Sequence, residues 1–306
     1  MILVAADGEN SGVTLAWEAL RAGMSALDAV EQGVRAVESN PDDHTVGLGG
    51  YPNALGEPEL DAAVMDGRTR ASGAVGGLRG FAHPVSVARA VMARLPHVLL
   101  VGEGAARFAA EIGAERADLL TPYAQAEWER WSSQQGLSGA DADSARLLEA
   151  VWASVDPERA GGTTIYLAQD GAGDIAAATS TSGWAWKYPG RLGDSPVVGA
   201  GLYADNRYGA AACTGRGELS IRTGLARTTV LYMKMGMSVE EAARAALDEV
   251  TTLPDWTSGG LTLYAIDAAG GHCTLAAFKP MKTVHYHVAS AGAPAPLQRE
   301  ALNLDT

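Results

Sequence analysis

The sequence is poor in cysteine and in basic residues, and it has no long apolar run. Its 306 residues include two cysteines, Cys213 and Cys273, which cannot build a disulfide framework; one disulfide between them remains open, and two buried free thiols are the simpler expectation. Lys and Arg number 23 against 36 Asp and Glu, a formal net charge of −13. This balance argues against nucleic-acid partners and anionic membranes, which are bound through basic patches.

No segment approaches the roughly 20 apolar residues that a membrane span requires. The amino terminus shows neither the basic region nor the apolar core of a signal peptide, so we expect a cytoplasmic protein without a membrane partner. Apolar residues make up 47% and charged residues 19%, which is typical of a globular core.

Hydrophobic periodicity predicts helices in two groups, one before and one after a run of consecutive strands. A capping box at Ser238 and Glu241 starts one of the later helices. This order favours antiparallel α+β layering over alternating βαβ units. The segment 132–161, rich in small polar residues, is predicted to be a linker. The predicted strands span 2–6, 97–101, 164–169, 175–181, 209–214, 261–266, 273–278 and 283–288.

The most informative stretch is Gly161-Gly162-Thr163-Thr164, a glycine pair before a threonine that opens an apolar strand. Cleavage before Thr163 would give this residue both a hydroxyl nucleophile and a free α-amine as its base. The α-amine has an ordinary pKa of about 7.7–8.0, so part of it is neutral near pH 7. A turn followed by an ordinary strand threonine is the competing interpretation.

Further motifs follow in a fixed order and decide between these interpretations. The ordered series resembles the glycosylasparaginase and plant-type asparaginase (isoaspartyl peptidase) family of N-terminal-nucleophile hydrolases. The resemblance implies a four-layer αββα sandwich. It also implies a single domain over 1–306, cut between Gly162 and Thr163 into an α part (1–162) and a β part (163–306), with the processed units paired as a homodimer. The motifs lie at 47–53, 60–67, 179–183, 190–196, 199–206 and 212–218.

The resemblance also implies a role for each site residue. Thr181 assists activation of Thr163, and the Thr214 hydroxyl with the Gly215 N–H forms the oxyanion hole. Arg191 offers a bidentate fork to an α-carboxylate. The α-ammonium is bound by Asp194 and the Gly217 carbonyl, and Gly215 also belongs to the substrate-binding residues.

These two charges recognise a free amino-acid backbone, so the scissile amide must lie on the side chain of a small β-aspartyl substrate. No cofactor is implied, and six scattered histidines show no zinc spacing, so no metal is expected. Cys213, beside Thr214, is the alternative nucleophile.

The chain departs from the family pattern at two places. Glycosylasparaginases carry a histidine-aspartate pair where Gly161-Gly162 stands, and the region 6–10 has neither their tryptophan nor the histidine-glycine-glycine run of the asparaginase branch. The first candidate substrate is N4-(β-N-acetylglucosaminyl)-L-asparagine. The first alternative is an isoaspartyl peptidase or L-asparaginase. An alternative of another class is an uncleaved, non-catalytic homologue that binds amino acids.

Overall fold

The structure is a computed structural model that describes residues 1–6, 11–137, 145–154, 162–257 and 259–304. Its helices are α1 Ser11–Arg21, α2 Ala26–Glu38, α3 Pro84–Arg94, α4 Gly102–Glu111, α5 Pro122–Gln134, α6 Ala145–Ala153, α7 Gly217–Thr223, α8 Leu225–Lys234 and α9 Val239–Thr251. Its strands are β1 Ile2–Ala6, β2 Leu60–Asp66, β3 Ser72–Leu78, β4 Leu99–Val101, β5 Thr164–Gln169, β6 Ile175–Thr181, β7 Leu202–Asp205, β8 Gly209–Gly215, β9 Leu261–Asp267, β10 His272–Ala277, β11 His285–Ser290, β12 Leu297–Glu300 and β13 Leu302–Asn303.

The strands form two sheets. The larger has the order β12-β11-β1-β5-β6-β2-β3-β4, and the smaller has the order β13-β10-β9-β8-β7. The pairs are antiparallel except β3 with β4 and β10 with β13. The predicted α+β class is confirmed, and so is the capping box at Ser238 and Glu241 that begins α9.

Three apolar clusters hold the sheets and helices together. One joins the larger sheet to α1–α4 through side chains such as Trp17, Val34 and Tyr166. A second contains residues of both sheets, among them Ile165 and Tyr264. A third joins the smaller sheet to α7–α9. Burial of this apolar surface, at about 25 cal/mol per Å², fixes both sheets relative to the helices.

The predicted linker is wrong for a large part of its length. Helix α5 continues to Gln134, and α6 occupies 145–153. Trp131, Leu147 and Ala150 are buried in a fourth, smaller cluster with Trp186. Small and polar residues between these apolar positions hid the helical period. Residues 138–144 and 155–161 of the predicted linker lie outside the described residues. Among the described helices, none combines the length and the apolar character needed to cross a bilayer.

Gly33 provides a direct test of this packing. It lies on α2, and a methyl group there would overlap the buried ring of Tyr166 on β5. Gly33→Ala is expected to lower the free energy of unfolding by about 1–3 kcal/mol, because a close-packed core has no room for an added carbon. Gly104→Ala, on the exposed side of α4 with no atom nearby, is the control and should stabilise by up to about 1 kcal/mol. Urea unfolding of both variants checks this; equal effects would contradict the described packing.

Candidate active site

Antiparallel pairing of β5 with β6 brings the segment before β5 beside the end of β6. Thr164 is opposite Ser180, so Gly162 and Thr163 lie next to Thr181. The Thr181 hydroxyl donates a hydrogen bond to the Gly162 carbonyl oxygen at 2.7 Å and lies 3.4 Å from the Thr45 carbonyl. Its oxygen accepts the Gly183 N–H at 2.9 Å. The Thr181 proton is therefore directed at the carbonyl of the peptide bond between Gly162 and Thr163.

Thr45, in the loop after α2, covers the same peptide bond. Its carbonyl accepts hydrogen bonds from the Ser182 N–H at 2.8 Å and the Ser182 hydroxyl at 2.9 Å. Its side chain packs so tightly on Gly162 that a Cβ at residue 162 would overlap it. The Thr45 side chain thus leaves room only for glycine at residue 162.

Two cavities meet at Gly162 and Thr163. The narrow cavity, of about 10 Å³, is lined by Gly162, Thr163, Thr181, Gly183, Trp184, Arg191, Gly193, Asp194, Ser195 and Gly215. This is space for about one water molecule. The wide cavity, of about 750 Å³, is lined by Gly162, Thr163, Thr214 and Gly215 together with Tyr51, Tyr264 and Phe278. Of the predicted site residues, Gly217 alone lines neither cavity.

Arg191 and Asp194, which are predicted to bind the α-carboxylate and the α-ammonium of the substrate, both line the narrow cavity. The Nε and Nη2 atoms of Arg191 donate to one oxygen of Glu218 at 3.0 and 2.7 Å, and its guanidinium lies 4.8 Å from the centre of the Trp184 ring. Asp194 is 4% exposed. Burial raises its pKa to about 6, although Arg191 and Ser220 act in the opposite direction. Gly217, at the start of α7, packs against the Asp194 carboxylate, where a Cβ would clash.

Buried charges at the start of β2 hold the loop that carries Arg191. Glu59 accepts the Gly190 N–H at 3.2 and 3.3 Å, and Asp61 accepts the Gly193 N–H at 3.3 Å. Lys187 is 3% exposed and donates to the Glu59 carbonyl at 2.9 Å. Burial lowers the pKa of Lys187, while Asp61 and Glu59 oppose that shift. Buried charged side chains therefore hold both ends of the loop that carries Arg191.

The predicted oxyanion hole stands at the end of β8. Thr214 pairs with Thr262 and Gly215 with Leu261. The Thr214 hydroxyl is 3.4 Å from the Tyr264 hydroxyl, and burial raises the pKa of Tyr264 to about 12, so this phenol stays neutral. Gly215 has a φ of 111°, a conformation that excludes other residues and lets the backbone approach a ligand closely.

The alternative nucleophile is unsuited to its role. Cys213 and Cys273 are free and buried. Burial raises the pKa of the Cys213 thiol, and its sulfur lies 3.5 Å from the Ala200 carbonyl. Since a thiolate is the reactive form, Thr163 remains the candidate. Within the described ranges, no three or more His, Cys, Asp or Glu side chains are grouped to hold a metal ion.

Comparison with known proteins agrees with these observations. A model of the Asparaginase_2 family, described as asparaginase, matches residues 6–291. The chain belongs to this asparaginase family. The resemblance predicted from the motifs is confirmed, and the predicted class, an amidohydrolase of the asparaginase type, is supported by the names of the relatives.

These relatives carry different named activities. The N(4)-(Beta-N-acetylglucosaminyl)-L-asparaginase of Elizabethkingia miricola is 39% identical over 238 residues, covering 78% of this chain but 65% of that protein. The isoaspartyl peptidase/L-asparaginase of Mus musculus is 38% identical over 79% of this chain and 70% of that protein. The isoaspartyl peptidase of Salmonella typhimurium is 42% identical over 82% of this chain and 77% of that protein. Identity at this level does not favour one of these substrates over the others.

Thr45, Lys187 and Glu218 are among the residues of the site that were not predicted from the sequence. Thr45 follows a proline-aspartate turn, and the 47–53 motif just after it was the available signal. Lys187 is an isolated basic residue in the aromatic stretch before Gly190. Glu218 lies next to Gly217 in a predicted motif. None of these has a sequence period or spacing that indicates its partner.

Aspartate binding should depend on the ionisation of Asp194. Because burial raises the Asp194 pKa to about 6, the carboxylate that would pair with an α-ammonium is lost as the pH falls through 6. Aspartate should bind cleaved wild-type protein about tenfold more weakly at pH 5 than at pH 7. Asp194→Asn should bind weakly at both pH values. Calorimetric titration checks this, and a wild-type affinity independent of pH would contradict the role of Asp194.

Glu218 should orient Arg191 for an α-carboxylate. Glu218→Gln keeps one acceptor and removes its charge, so aspartate affinity should fall about fivefold, a small loss because the carboxylate is partly exposed. Arg191→Lys loses the bidentate fork and should cost about 10–100-fold. Glu129→Gln, on the exposed side of α5, is the matched control. An Arg191→Lys protein that binds like wild type would remove Arg191 from the site.

Proposed function

We propose that this protein is a self-processing amidohydrolase that cleaves the side-chain amide of β-aspartyl compounds, with Thr163 as the amino-terminal nucleophile. One observation carries the proposal: Thr163 lies between a narrow cavity lined by Arg191 and Asp194 and a wide cavity of about 750 Å³. The narrow side offers both charges that an amino-acid backbone needs. The wide side offers room for a leaving group far larger than ammonia.

Cleavage between Gly162 and Thr163 is the first step of the proposed mechanism. The Thr163 hydroxyl attacks the Gly162 carbonyl, whose oxygen is polarised by Thr181 at 2.7 Å. The resulting ester is hydrolysed by water, which leaves a Gly162 carboxylate and a free Thr163 amine. The new carboxyl end at Gly162 then moves away from the narrow cavity. The volume of this cavity, about 10 Å³ before cleavage, thereby grows enough to hold an aspartyl backbone.

Amide hydrolysis then follows in two steps. Arg191 binds the α-carboxylate, and Asp194 with the Gly217 carbonyl binds the α-ammonium. The Thr163 amine accepts the hydroxyl proton as the oxygen attacks the side-chain carbonyl, and Thr214 with the Gly215 N–H stabilises the oxyanion. The leaving amine takes the proton and departs into the wide cavity. Water hydrolyses the β-aspartyl ester and releases aspartate.

The wide cavity favours a substituted amide over asparagine itself. Its wall includes the Tyr51 and Phe278 rings, which suit stacking against a sugar or a peptide side chain. N4-(β-N-acetylglucosaminyl)-L-asparagine is therefore the first candidate substrate, and a β-aspartyl peptide is the alternative. Turnover of the glycosylated compound, a β-aspartyl dipeptide and asparagine at equal concentrations separates them.

We also propose the finer architecture that the family resemblance implies. The three apolar clusters of the two sheets and the helices support a four-layer αββα sandwich, which forms as one domain and is cut into parts 1–162 and 163–306. Exposed Val98, Leu99 and Val101 at the β4 edge support pairing into a homodimer. Two free, buried cysteines are compatible with a reducing cytoplasm.

Intact-mass spectrometry of fresh protein tests the proposal. We expect two fragments divided between Gly162 and Thr163 in wild type and in Thr163→Ser, and a single uncut mass in Thr163→Ala. The cut wild type should hydrolyse the β-aspartyl panel, and Thr163→Ala should not. A wild-type protein that stays uncut yet binds aspartate would contradict Thr163 as the nucleophile and favour the non-catalytic amino-acid-binding homologue.

A further inference from the structure

Asp43 and Thr45 stand beside the bond proposed to be cut. One Asp43 oxygen accepts the Thr45 backbone N–H at 2.9 Å and the Thr45 hydroxyl at 2.6 Å. The Thr45 side chain lies against the α-carbon of Gly162. Both residues line the wide cavity together with Gly162 and Thr163. Asp43 and Thr45 thus place a carboxylate and a hydroxyl beside the scissile peptide. The residues directly before Thr163 supply no carboxylate of their own, because they are glycines.

The hydrogen bonds around the peptide leave one chemical task unassigned. Thr181 donates its proton to the Gly162 carbonyl oxygen, where negative charge develops during attack. A threonine hydroxyl is nonetheless a weak nucleophile without a base. Before cleavage the Thr163 nitrogen is an amide and cannot serve. The Thr163 hydroxyl proton therefore needs an acceptor other than this nitrogen.

We propose that Asp43 is a positioning residue for self-cleavage, acting through the Thr45 hydroxyl. This inference rests on the proposed function. Because the Thr45 hydroxyl donates its own proton to Asp43, the lone pairs of its oxygen are directed away from the carboxylate and accept the proton of Thr163. Asp43 thereby supplies the negative charge that the glycine pair lacks.

Self-cleavage moves protons between three side chains, those of Thr163, Thr45 and Asp43. As Thr163 Oγ bonds to the Gly162 carbonyl carbon, its proton moves to Thr45 Oγ and the Thr45 proton moves to Asp43. The tetrahedral oxyanion, bound by Thr181, collapses and breaks the bond to the Thr163 nitrogen. That nitrogen takes the proton back along the same path and becomes an amine. Water hydrolyses the ester, which restores the Thr163 hydroxyl and leaves the Gly162 carboxylate.

A purely structural role for Asp43 can be separated from this one. A carboxylate that accepts the N–H two residues on is also the ordinary Asx turn, and asparagine makes the same turn with its amide oxygen. Asp43→Asn therefore keeps the loop while it removes the base. Thr45→Val keeps the side-chain shape over Gly162 while it removes the hydroxyl, and Thr45→Ser keeps the hydroxyl.

The test follows the fraction of cut chain over time after pulse-labelled cell-free synthesis of the full chain. The first-order cleavage rate should fall about a hundredfold in Asp43→Asn and in Thr45→Val, a magnitude typical of a lost general base. Thr45→Ser should stay within about threefold of wild type. Asp42→Asn, the exposed neighbouring carboxylate, is the matched control and should cut at the wild-type rate. Thermal unfolding of each uncut variant in the Thr163→Ala background verifies the fold.

Cleavage of both Asp43→Asn and Thr45→Val at the wild-type rate would overturn this inference and leave Thr163 as the nucleophile. Equal loss in Thr45→Ser and Thr45→Val, with intact unfolding temperatures, would also overturn it, because the hydroxyl would then have no part. A wild-type chain that never cuts would overturn the proposed function together with this inference. Loss in Asp43→Asn and Thr45→Val with recovery in Thr45→Ser is the result that supports it.

Discussion

The hydrogen bond from the Thr181 hydroxyl to the Gly162 carbonyl is the interaction on which the site depends. It exists because β5 and β6 pair antiparallel with Thr164 opposite Ser180, and both strands are anchored by apolar side chains on the two faces of the larger sheet. Thr45 closes the same peptide from the other side and admits only glycine at residue 162. The fold thus presents one peptide bond, between a glycine and a threonine, to a hydroxyl donor.

Buried charged side chains fix the position of the loop that carries Arg191. Asp61 and Glu59 hold both ends of the loop that carries Arg191, and the buried Lys187 interacts electrostatically with both carboxylates. Burying ionic groups costs several kcal/mol each unless partners compensate, and here each has hydrogen-bonded partners. Burial raises the pKa of Asp194 although Arg191 acts in the opposite direction, so an additional cation such as an α-ammonium would stabilise its charged form.

Much of this arrangement could be predicted from the sequence, because the motifs after Thr163 occur in the order that the family shows. The structure brings Thr181, Arg191, Asp194 and Gly215 to one cavity with Thr163. Thr45 could not be predicted, since its contact with Thr181 joins residues 136 apart and depends on how the loop after α2 packs on β6. Helix α6 was missed because its buried residues, Leu147 and Ala150, contact a partner surface that no local pattern indicates.

A crystal structure of the cleaved protein with bound aspartate tests the central claim most directly. The account predicts an α-carboxylate on Arg191, an α-ammonium beside Asp194 and Gly217, and the side-chain carboxylate against the free amine and hydroxyl of Thr163 and the Gly215 N–H. Aspartate bound outside this cavity, or bound with its side chain directed away from Thr163, would contradict the assignment of Thr163 as the nucleophile for β-aspartyl amides.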